Sequence, residues 1–177
     1  APMDPMEGYT IQDGAIQINS QEDFDKWIAG FTTFLTKAQI PNTNVCLNTD
    51  VALQSTTGSV IPQFNAVLDG KGHKLTIDMS YTLASGESVE VGHAPISLLY
   101  GTVKNLVVDG TISGNSKYLA SVAKDCHNGS VIENVVSYVN IVSEISGDGT
   151  HGGINGRNEG STTFRNVMFA GTISGSA

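Results

Sequence analysis

The stretch Gly101-Thr-Val-Lys-Asn-Leu-Val-Val-Asp-Gly-Thr-Ile-Ser-Gly114 recurs along the chain, and its recurrence decides the fold. With Asn105 as position zero, Val103, Leu106, Val108 and Ile112 stand at −2, +1, +3 and +7. The same offsets from Asn134 give Ile132, Val135, Ser137 and Ile141. From Asn166 they give Phe164, Val167, Phe169 and Ile173, and Gly171-Thr-Ile-Ser-Gly175 repeats Gly110-Thr-Ile-Ser-Gly114 letter for letter. A degraded earlier copy is centred on Lys74, with Leu75, Ile77 and Tyr81 at +1, +3 and +7 but Gly72 at −2.

Positions 74, 105, 134 and 166 lie 31, 29 and 32 residues apart. A period of this length marks a solenoid, in which each unit buries its apolar face by stacking on the next. Within each unit the apolar residues at +1 and +3 alternate with polar or outward ones and are largely β-branched or aromatic, which is strand periodicity. Each coil is therefore a set of short strands joined by Gly, Asn and Ser turns. Successive coils pair in parallel about 4.8 Å apart, and the expected architecture is an all-β parallel β-helix.

The 177 residues suffice for one domain with a real core, and 40% apolar content with 20 glycines fits a turn-rich β protein. Nine basic residues against 17 acidic give a net charge of −8 with no Lys/Arg cluster. Nucleic acid and anionic lipid are therefore excluded as expected partners. No apolar run reaches the ~18 residues of a membrane span, and no secretion signal opens the sequence. Residues 1–14 read as a flexible leader and 15–177 as a single domain. Cys46 and Cys126 match no metal or redox spacing. A disulfide and two separate small buried residues both suit them, the second better.

Ala15-Ile-Gln-Ile-Asn19 alternates like a short strand. Ser20-Gln-Glu-Asp23 follows as a capping box, in which Asp23 answers the cap amide. Phe24, Trp27, Ile28, Phe31, Phe34 and Leu35 then form one apolar stripe, predicting a helix of ~17 residues within a cap spanning about 20–38. A β-helix exposes strand edges and core at both ends. The helix, with its cap residues Ser20, Phe24, Trp27 and Phe31, is read as the lid on the N-terminal end, and the coils occupy about 43–177.

This order of elements resembles the secreted bacterial right-handed parallel β-helix proteins with GLUG-type repeats. There, a phrase such as "DGNGHTI" precedes coils of the form "GxIxNxxxxGxVxG". Asp69-Gly-Lys-Gly-His73 matches the first phrase, and residues 101–114, 129–143 and 160–175 match the second. The segments opening the coils depart from the family pattern at Ile96-Ser-Leu-Leu99 and Leu119-Ala-Ser-Val122, whereas Gly152-Gly-Ile-Asn-Gly156 follows it. The resemblance implies a right-handed coil and an extracellular or cell-surface location.

Asn105, Asn134 and Asn166 are read as a structural ladder of stacked turn amides rather than as ligand contacts. Asp78 and Asp109 share offset +4, and adjacent coils would bring them within reach of paired-carboxylate glycoside chemistry. The rest of that column is Tyr138 and Ala170, however. Asn48-Thr-Asp50 matches only a fragment of a polygalacturonase pattern. Asp148 and Glu144 do not make a calcium set, and His73, His93, His127 and His151 read as solvated turn residues. No cofactor motif is found.

The outward +2 column reads Thr76, Val107, Val136 and Met168, and with Tyr138 it is the candidate contact surface. The excursion from Ser80 to His93 would otherwise cover it. No second cap follows the last coil, so further coils or self-association are expected at that end. Together these features favour a non-catalytic, adhesin-like binding or display module for glycan or for host or matrix protein. The alternative is a carbohydrate-active β-helix enzyme.

Overall fold

The computed structural model describes residues 3–175. Strands β1 (Ile11–Gln12) and β2 (Ala15–Ile18) precede helix α1 (Gln21–Gly30). A first coil runs through β3 (Asn44–Leu47), β4 (Val51–Ser55) and β5 (Ile61–Phe64), and a second through β6 (Val67–Asp69), β7 (Lys74–Tyr81) and β8 (Ile96–Leu99). The third is β9 (Thr102–Gly114), which bends across two faces, followed by β10 (Ala123–His127). The fourth comprises β11 (Val131–Ser137), β12 (Asn140–Ser143) and β13 (Asn155–Glu159), and β14 (Thr163–Phe169) and β15 (Thr172–Gly175) begin a fifth.

The result is a three-faced parallel β-helix. One face stacks β2, β3, β6 and the first parts of β9, β11 and β14, the last three each bending at their asparagine onto the next face. The second stacks β4, β7, the second half of β9, β12 and β15, and the third stacks β5, β8, β10 and β13. All these pairings are parallel. The repeat columns meet as expected: Val103 faces Ile132 and then Phe164, and Ile112 faces Ile141 and then Ile173.

The corner between the first two faces explains the recurrent asparagine. Asn105, Asn134 and Asn166 have φ of 54°, 52° and 52°, left-handed values that asparagine tolerates better than other non-glycine residues. Their amides bond along the axis. Asn166 Nδ2 donates to Asn134 Oδ1 at 2.8 Å, and Asn134 Nδ2 to Asn105 Oδ1 at 3.1 Å. Asn105 Nδ2 then donates to Asp69 Oδ1 at 3.0 Å, so the column begins at an aspartate.

The earliest repeat copy is two residues out of the expected register. Asp69 pairs with Lys104 but Lys74 pairs with Val107, so four residues turn this corner where two suffice in the later coil. The extra length is the Asp69–His73 turn, with Lys71 and Gly72 both at positive φ. In consequence Met79, not Tyr81, is the inward partner of Ile112.

At the capped end, Trp27 is fully buried and meets Phe64 of the first coil edge-on at 6.1 Å, while Phe24 and Phe31 flank it. The Ser20 hydroxyl accepts from the Asp23 amide at 3.1 Å, but the Asp23 carboxylate accepts from Asn19 N rather than from the cap's own amide.

The helix is shorter than its stripe predicts, because it ends at Gly30. The hydroxyls of Thr32 and Thr33 both donate to Ala29 O, and Thr36 Oγ1 donates to Gly30 O, taking carbonyls that a further turn would use. Phe34 is consequently 81% exposed and Leu35 leaves the stripe. The expected flexible leader is also folded from Tyr9 onward. Tyr9 donates to Lys26 O, and Asp13-Gly14 turns β1 antiparallel onto β2, covering that strand's outer edge.

Candidate functional site

The outward column on the first two faces is continuous in register, since Val107 pairs with Val136 and Val136 with Met168. Val107 and Val136 are half-buried, whereas Met168 is 55% and neighbouring Tyr138 51% exposed. The member before Val107 is Lys74 and not Thr76, a consequence of the displaced corner. The excursion after β7 does not bond to this column. Leu83 N donates to Asn115 Oδ1, and Val89 O accepts from Lys117 N, which holds the loop against the corner that follows β9.

The same two-residue displacement separates the aspartates that the repeat appeared to align. Thr76, not Asp78, sits opposite Asp109, and its hydroxyl donates to Asp109 Oδ1 at 2.6 Å; Lys74 Nζ lies 3.5 Å from the other oxygen. The expected Asp78–Asp109 pair is thus replaced by one carboxylate held by a hydroxyl and an ammonium. Asp50 is likewise committed, accepting from the Lys74 amide and lying 3.2 Å from His73 Nδ1; the amide bond lowers its pKa first. Among the described residues no three His, Cys, Asp or Glu side chains gather into a metal site.

The histidines are not uniformly solvated. His93 is fully buried under the excursion, edge-on to Tyr81, and neither ring nitrogen makes a well-formed hydrogen bond. Burial depresses its pKa to about 4, with the Ser113 backbone partly opposing and His151 reinforcing the shift. His127 stacks flat on Tyr100 at 4.2 Å, and His151 lies 2.7 Å from Ser143 Oγ. Cys46 and Cys126 are separate buried thiols, and burial pushes that of Cys126 up to about 12. Asp125, also buried, is held by Arg157 Nε at 2.6 Å and Lys124 Nζ at 3.4 Å. Their partnered charges fix the third face.

A groove of about 420 Å³ on the outside of the first face escapes motif reading altogether. Gln17 and Cys46 lie at its floor, and Asp13, Asn44, Asp69, Lys71 and Lys104 line it with them. Gln17 Oε1 accepts from Cys46 Sγ at 3.1 Å and from Asn48 Nδ2 at 2.9 Å, which fixes the floor. These residues come from four separate stretches between residues 12 and 104. Their one sequence signal is that several occupy outward positions of alternating strands.

No protein-family model, curated protein or solved structure matches this chain at a significant level. What the fold defines is a class, the capped parallel β-solenoids, and fold alone does not select a function within it.

Proposed function

We propose that this chain is a non-catalytic binding or display module of a secreted or surface-exposed bacterial protein, engaging glycan or a host or matrix protein through the flank of its last coils. The observation that carries this reading is the outward apolar surface there: Met168 is 55% and Tyr138 51% exposed, and Met168 continues the column of half-buried Val107 and Val136. Exposed apolar groups clustered on one region are the usual mark of a contact surface. The likeness of residues 101–114, 129–143 and 160–175 to GLUG-type coils supports an extracellular setting.

The test combines a glycan array and a matrix-protein binding screen with an assay for released reducing or unsaturated sugar. Saturable association that Val136→Lys abolishes, with native circular dichroism retained, is the expected result. Sugar release by the purified chain would instead establish the carbohydrate-active alternative and end this reading.

A further inference from the structure

We propose that the groove on the first face is a subsite for an acidic oligosaccharide, with the ammonium groups of Lys71 and Lys104 receiving its carboxylate. This site lies apart from the flank of the last coils and goes beyond the binding-module reading above. The chemistry of the lining selects the ligand. Lys71 and Lys104 flank the groove, and among the described residues neither forms a salt bridge, in contrast to Lys74, Lys117, Lys124, Arg157 and Arg165. On a chain of net charge −8, these two ammonium groups offset the two carboxylates of the groove, Asp13 and Asp69, so its lining is locally neutral where the chain as a whole is acidic.

Acceptors and donors for hydroxyl groups stand beside them. Asp69 uses one oxygen, Oδ1, for both the Lys71 amide and Asn105 Nδ2, and Asn44 uses its Oδ1 for the Val67 amide. Asp69 Oδ2, Asn44 Nδ2 and the Asp13 carboxylate therefore remain to face a ligand. No aromatic ring lines the groove, so it offers no stacking platform for a nucleobase. Its volume falls within the ~300–1,000 Å³ of ordinary ligand sites. A chain of sugars carrying carboxylates at intervals satisfies both kinds of group at once. The floor is pre-organised by the bonds of Gln17, Cys46 and Asn48, which lowers the ordering cost of binding.

The full chain, labelled with ¹⁵N, is titrated with a hyaluronan tetrasaccharide and with tetragalacturonate, using cellotetraose as the neutral comparator. Saturable shifts with an acidic probe, centred on Gln17, Asn44 and Lys104, are expected. Lys71→Asn with Lys104→Gln should weaken binding about ten-fold or more. Asparagine suits the positive φ of residue 71, and wild-type affinity falling with added salt gives an independent reading should the double variant misfold. Silence from both acidic probes, equal binding of cellotetraose, or salt-insensitive binding that the double variant retains would each overturn the assignment. Silence here beside a Val136-dependent association with another partner would remove this subsite and leave the module reading in place.

Discussion

At the scale of single residues, asparagine at the corners does two jobs that can be separated by substitution. It holds a left-handed backbone and it bonds to the coils on either side. Asn134→Ala loses both and should cost about 2 kcal/mol, while Asn134→Gly keeps the backbone freedom and should cost about half of that. Urea denaturation compares the two, and equal losses would contradict the division. Gly110 is fixed by a different constraint. It has φ of 103°, and a Cβ there would run into the Ile77 carbonyl of the coil beneath. His93 gives a pH prediction. Its folded pKa of about 4 lies below the ordinary 6.5, so the folded state holds fewer protons than the unfolded one. Its neutral form is accommodated fully above pH 6.5, and stability falls as pH drops from there towards 4, by about 3 kcal/mol in all. The loss in wild type between pH 7 and 4.5 should exceed that of His93→Leu; identical slopes would show that the ring does not report folding.

At the scale of elements, the cap and the corner turn depart from their sequence patterns for local reasons. The aromatic stripe from Phe24 to Leu35 is helical in spacing throughout, yet only the part that reaches the first coil is buried. Trp27→Ala should therefore cost about 3–5 kcal/mol, whereas Phe34→Ala should stay within about 0.5 kcal/mol, both measured by thermal or urea unfolding. A comparable loss at Phe34 would mean that the stripe packs along its whole predicted length. The Trp27 indole N–H is buried without an acceptor. Apolar packing against Phe24, Phe31 and Phe64 outweighs that polar cost, because an indole buries far more hydrocarbon than polar surface. Between the second and third coils, the two additional residues of the Asp69–His73 turn relocate Thr76, Asp78 and Tyr81 together. A strand shifted by two residues keeps its inward face, which is why Leu75, Ile77 and Met79 still alternate into the core.

At the scale of the whole molecule, axial position sets the value of a side chain that the repeat treats as equivalent. Ile132 and Phe164 occupy the same inward column, but Ile132 is fully buried between coils and Phe164 is 40% exposed on the last one. Ile132→Ala should cost about 2–5 kcal/mol and Phe164→Ala markedly less, despite the larger ring removed. Equal costs would show that the last coil is covered in solution. The solenoid was legible in sequence because its inward columns repeat the same four offsets, and stacking in parallel makes a repeat in sequence a column in space. The N-terminal lid was legible because its aromatic residues follow helical spacing. The groove and the environment of His93 were not, since outward residues carry no periodic constraint and a buried histidine in a turn has no local signature. The amino-acid sequence by itself determined the coil, its repeat and its plug, which depend on local pairing rules applied many times over. Tertiary structure alone decided which aspartates meet and which polar groups share a cavity, because those contacts depend on the length of each corner, where one or two residues change every neighbour that follows.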